Sequence, residues 1–114
     1  MPSDLVHLAS GAVLATDVWL ARSVWEKTRG LIRRDLPTGA ALIIEPARQI
    51  HTFGVRGPID VVFCDGSWIV VHVRRRMRPA RVSSWVRKAR YVIELPGGEL
   101  PEQVEVGDRL ALVV

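Results

Sequence analysis

The sequence predicts an α+β fold, a small β-rich, barrel-like sheet of about six short strands with one α-helix in the N-terminal third. Three observations carry this prediction. Most of the chain beyond residue 40 alternates apolar and polar residues with the two-residue period of a strand, and Gly, Pro and Asp punctuate the segments. A single segment, residues 24–32, has helical spacing instead. With 114 residues, 48% of them hydrophobic, the chain can bury roughly 65% of its unfolded surface and close one core without a disulfide or metal. Residues 1–114 are therefore expected to form a single domain with no linker or second domain.

Residues 12–20 alternate well enough for a strand, with Leu14, Thr16, Val18 and Leu20 on one face. Val24, Trp25, Thr28, Leu31 and Ile32 then share one helical stripe, and Ser23 with Glu26 makes a capping box that satisfies free amides of the first turn. Pro37 ends this helix. Residues 41–45 are a short apolar strand suited to burial, while 59–64 and 68–74 flank Asp65-Gly66, a compact hairpin signal. Residues 90–95 form a strand that turns at Pro96-Gly97-Gly98, and 109–113 form the last one after Gly107-Asp108. Residues 77–84 are the longest loop-like stretch.

The net charge of +4 conceals a segregation: 8 of the 16 basic residues lie between Arg74 and Arg90 with no acid among them. The remaining chain holds 8 bases against 12 acids, so one basic segment sits on a mildly acidic body. Glu94, Glu99, Glu102, Glu105 and Asp108 gather near the C-terminal end, a layout that steers anionic partners to one face or pairs internally or across a homodimer. Cys64 is the only cysteine, which excludes an internal disulfide and any cysteine-built zinc site, and fits a reducing compartment. The N-terminal residues lack a basic region, and Asp4, His7 and Asp17 interrupt any apolar run, so a soluble, cytoplasmic protein with no membrane partner is expected.

Four blocks have the order and spacing of a known family. They are Ala15-Thr16 through Arg22 followed by Thr28-Arg29-Gly30-Leu31-Ile32-Arg33 on the expected helix; His51-Thr52-Phe53-Gly54-Val55-Arg56-Gly57-Pro58-Ile59-Asp60-Val61-Val62-Phe63; Tyr91-Val92-Ile93-Glu94-Leu95-Pro96-Gly97-Gly98; and Val106-Gly107-Asp108-Arg109-Leu110. On these residues the chain resembles the small prokaryotic family called domain of unknown function 192, over about residues 13–112. The resemblance implies a compact β-rich fold with one helix and brings no enzymatic reaction. The chain departs from the family pattern at Ile32 and Val55, where Met is frequent, at Gly97, where Ala is common, and at Gly57, where a bulkier residue is usual. Loss of a side chain at Gly57 would enlarge or open any pocket built at the central signature.

Within that signature Thr52, Phe53, Arg56 and Asp60, with Arg29 from the helix, are candidates to line a shallow pocket for a small anionic ligand or a peptide terminus. The plainer alternative is a structural Arg56–Asp60 ion pair across the Gly57-Pro58 turn, because Asp60 opens an otherwise apolar strand. A second candidate surface is Arg74, Arg75, Arg76, Arg78, Arg81, Trp85, Arg87 and Lys88, which could take nucleic acid or another anionic surface; a solvated face is the default there, since no nucleic-acid-binding signature accompanies it. Trp19, Trp25 and Trp68 read as core, whereas Trp85 among cations reads as a loop anchor or a stacking platform. His51 and His72 lack metal-ligand spacing, Cys64 reads as a packed hydrophobe, and Ser83, Ser84 and His72 form no hydrolase motif. The sequence thus favours a non-enzymatic binding or accessory module with no cofactor, no metal and no assigned catalytic residue. Nucleic-acid binding is the alternative, and an unrecognised enzyme the third option.

Overall fold

The computed structural model describes residues 3–21, 36–53 and 55–114. Eight strands appear among them: β1 (Asp4–His7), β2 (Val13–Ala15), β3 (Asp17–Ala21), β4 (Ala40–Ile44), β5 (Ile59–Cys64), β6 (Val70–Met77), β7 (Tyr91–Pro96) and β8 (Leu110–Val113). They form a three-stranded sheet of order β2-β1-β8 and a five-stranded sheet of order β3-β4-β7-β5-β6. Only the β3–β4 pairing is parallel.

Val, Ile, Leu and Phe dominate β4 and β5, both buried along their whole length, as expected of strands covered on two faces. Alternation then assigns each side chain to a layer. Ile43, Val62, Ile93 and Leu95 face the smaller sheet and pack with Leu5, Leu14, Leu100, Val104 and Leu110. Leu42, Ile44, Ile59, Val61, Phe63 and Val92 face the other way and pack under Ile50, Ala89 and Met77, with Leu36, Ala47, Val55 and Val86 at the margin. The five-stranded sheet is therefore sandwiched between a second sheet on its inner face and irregular segments on its outer face.

This architecture corrects the α+β, barrel-like expectation. Among the described residues there is no helix, and the strands divide into two sheets with no closed barrel. The helix expected at 24–32, with its capping box and Trp25, lies outside the described residues. The strand expected at 12–20 is two strands, because the chain bends at Thr16 and passes from the small sheet into the large one. The segments leading into β6 and β8 meet at an isolated Ile69–Arg109 bridge, flanked by backbone hydrogen bonds of Val70 with Gly107 and Asp108 and of Leu110 with Trp68, which joins the layers without a continuous ladder. The 59–64 strand is found as predicted, and its hairpin partner begins at Val70 because Trp68 takes a left-handed turn conformation at φ 65°.

Candidate functional site

The central signature is held by two buried polar clamps. The Asp60 carboxylate, 1% exposed, accepts N–H groups from Arg76 at 2.8 Å, Gly98 at 3.0 Å and Leu100 at 2.9 Å. Three charge-assisted bonds tie β5 to β6 and to the turn after β7, which accounts for an acid in an apolar strand. Thr52 is fully buried; its hydroxyl donates to the Arg78 carbonyl at 2.6 Å and accepts the Arg81 N–H at 2.9 Å. The Thr52 backbone doubles that link, donating to the Arg81 carbonyl and accepting the Ala80 N–H. Both residues fasten the loop that carries the signature.

Between these clamps the chain walls a pocket of about 320 Å³, lined by Leu36, Val55, Arg56, Gly57, Pro58, Ile59 and Pro96. Five consecutive signature residues thus meet the end of β7. A Cβ built on Gly57 would meet nothing within 4 Å, so the missing side chain leaves open space there. Gly97 is the reverse: a Cβ would sit 2.7 Å from the Pro58 carbonyl oxygen, and its own N–H donates to that oxygen at 3.0 Å. Of the expected lining residues Arg56 is at the pocket, Thr52 and Asp60 support it from behind, and Phe53 is half exposed with its ring beside His51. Arg29 lies outside the described residues.

The sequence reading passed over Glu94 as a site residue. Its register partners Leu42 and Val61 place it on the outer face of the sheet, two residues from Pro96 of the pocket wall. It is 3% exposed, and Oε1 has no hydrogen-bond partner among the described residues. Burial disfavours the charged form and pushes the carboxyl up to about 8. The signal was present: one acid in the apolar run of 91–95 is costly to bury without a partner.

The family model for domain of unknown function 192, described as Uncharacterized ACR, matches residues 6–112. The chain belongs to this family. A UPF0127 protein of Thermococcus sibiricus is 31% identical over 112 residues, a match covering 93% of this chain and 72% of that protein. Two crystal structures share the fold at low identity. One, from Sinorhizobium meliloti and provisionally named a transcription regulator, has a TM-score of 0.78 at 22% identity, covering 96% of this chain and 91% of its own. The other, of unknown function from Novosphingobium aromaticivorans, has a TM-score of 0.79 at 21% identity, covering 97% and 84%. The resemblance carried by the four sequence blocks is thereby borne out; the family itself is one of uncharacterised function.

In this family member the basic segment is parted by strand alternation. Arg74 pairs in register with Val61 on the outer face, whereas the Arg75 guanidinium donates to the carbonyls of Leu100, Pro101, Glu102 and Val104. Arg76 sits at φ 49° beside Gly98, and Arg81 donates to the Ala80 carbonyl at 3.3 Å. Arg90 pairs with Glu45 at 3.1 Å. Arg78, Arg87 and Lys88 are exposed, and Trp85 is 64% exposed. Trp85 borders a cleft of about 210 Å³ with Pro46, Ala47, Arg48, Ala89 and Arg90. Trp68, by contrast, is half-buried and stacks on Tyr91 at 4.1 Å.

Cys64 is fully buried, and desolvation with the neighbouring Asp65 charge pushes its thiol up to about 12, which removes thiolate character. Among the described residues no three His, Cys, Asp or Glu side chains gather to hold a metal ion, and no helix is long and apolar enough to cross a membrane.

Proposed function

We propose that this protein is a binding or accessory module whose pocket at residues 55–59 takes a small anionic ligand or the carboxylate end of a peptide. One observation carries the reading: five consecutive residues of the family signature wall a single pocket together with Leu36 and Pro96. The loop is preorganised, since Asp60 and Thr52 fix its two ends through buried hydrogen bonds, and a rigid site loses less freedom on binding. Arg56 supplies the anion-selective group, because a guanidinium matches a carboxylate or phosphate fork. Among the described residues no nucleophile lines this pocket, so we read its work as retention rather than turnover.

The test is an NMR titration with acetate, inorganic phosphate and a short N-acetylated peptide. Saturable shifts at the amides of Val55, Arg56, Gly57 and Ile59 are expected, weakened about tenfold or more in Arg56→Ala, the usual worth of a charge-assisted bond. The absence of saturable shifts at these amides with all three probes would overturn the reading.

Trp85 favours a second reading, in which its cleft and the flanking Arg48, Arg87 and Lys88 form a surface for nucleic acid. Fluorescence anisotropy with short RNA and duplex DNA, from roughly 50 to 200 mM salt, separates the outcomes: a steep loss of affinity with salt supports it, and no binding at the lowest salt retires it.

A further inference from the structure

His7, Ser10 and Asp108 form a hydrogen-bonded chain on the three-stranded sheet, in the layer away from the signature pocket. His7 ends β1 and is 2% exposed. Its Nδ1 lies 2.6 Å from the Ser10 hydroxyl, and its Nε2 lies 2.7 Å from Oδ2 of Asp108, 101 residues away in sequence. Ser10 occupies the exposed turn between β1 and β2, where Gly11 at φ 75° donates its N–H to the His7 carbonyl and brings the turn back over the ring.

The proton positions follow from charge. The Glu105 N–H and then His7 hold the Asp108 carboxyl below the ordinary carboxylate range, so it is an anion that can only accept. Neutral His7 must then carry its proton on Nε2, and Nδ1 presents a lone pair. The contact at Nδ1 is therefore the Ser10 O–H donating to a base that is itself oriented by a carboxylate, the relation that activates a serine nucleophile. The ring nitrogens exchange their more frequent roles, which the imidazole permits because either can accept while the other donates. Ser10 Oγ also accepts the Ala12 N–H at 3.1 Å, which fixes the hydroxyl's direction.

We propose that Ser10 is the nucleophile of an acyl-transfer site acting on small, activated carboxylic esters. Oγ attacks the ester carbonyl carbon while its proton passes to Nδ1 of His7. The tetrahedral intermediate collapses with cleavage of the ester C–O bond, and the leaving alkoxide takes that proton from Nδ1. Water, deprotonated by Nδ1, then attacks the acyl-Ser10 carbonyl, releasing the carboxylic acid and returning the proton to Oγ. The amides of Ala9 and Ser10 have no acceptor among the described residues and are the donors that the turn offers to the oxyanion. Leu8 and Val13, half exposed on either side of the turn in sequence, select apolar acyl groups.

The experiment uses the full chain, Ser10→Ala and Asp108→Asn, with an alkyl fluorophosphonate whose P–F bond breaks as Oγ bonds to phosphorus. Peptide mass mapping is expected to place the adduct on Ser10, with none in Ser10→Ala. Labelling in Asp108→Asn should be slower by about 10²-fold, the usual worth of a positioned general base. In the wild type, adduct formation on Ser10 itself is a readout that does not depend on any variant folding. No adduct on Ser10, or an equal rate in folded Asp108→Asn, would each overturn the proposal.

Discussion

Asp60 and Glu94 stand on neighbouring strands of one sheet, one on each face, and both are almost sealed from water at 1% and 3% exposure. On the inner face Asp60 accepts three backbone N–H groups. On the outer face Glu94 has an oxygen with no partner among the described residues, and its carboxyl is pushed up to about 8. Equal burial therefore has opposite consequences. A carboxylate surrounded by donors cross-links the fold, while a buried one short of donors is pushed toward the neutral acid, and among the described residues it is the outer face that holds the unpartnered oxygen. That same face carries Ile59 and Pro96 of the signature pocket.

The sharpest way to break this contrast is Asp60→Ala. It deprives three amides of their acceptor in a buried setting, and a loss of about 5 kcal/mol in urea unfolding at neutral pH is expected, at the top of the range for single substitutions. Glu94 should respond in the opposite sense. Its folded pKa of about 8 lies above the ordinary 4.5, so between those values the folded chain holds a proton that the unfolded chain has released. Its stabilising protonation is complete below 4.5 and is lost as pH rises through 8, on the order of 5 kcal/mol across the window. Glu94→Gln should flatten that part of the stability profile and leave the variant more stable than the wild type above pH 8. A wild-type profile that is flat there would show that Glu94 is ionised and paired.

Strand positions were legible wherever one segment met one environment. Residues 59–64 read as a strand because every side chain is apolar except Asp60, and the clamp at Asp60 explains that exception. The division at Thr16 was illegible, since alternation runs unbroken through a bend that only the packing of two sheets requires. β1 was missed because Asp4–His7 contains two polar residues, and His7 is buried only by reaching Asp108 across 101 residues. The signature loop was legible from the family resemblance and its Gly, Arg and Asp content, but the roles within it were not. Thr52 and Asp60 have the same residue types whether they touch a ligand or hold a loop, and only their partners distinguish the two.

Two glycines sharpen the comparison at smaller scale. In Gly97→Ala the new methyl would approach backbone that cannot swing away, so a loss of about 2 kcal/mol and disturbed amide shifts at Pro58's neighbours are expected. Gly57 borders the same pocket with empty space before it and without the left-handed φ that would strain a side chain. Gly57→Val should therefore leave unfolding free energy within about 0.5 kcal/mol of the wild type. Its methyls would occupy the pocket beside Arg56, so the acetate and phosphate shifts of Val55 and Ile59 should vanish in a protein that is otherwise unchanged. Undiminished shifts in that folded variant would move the anion site elsewhere on Arg56 and separate the guanidinium from the pocket it borders.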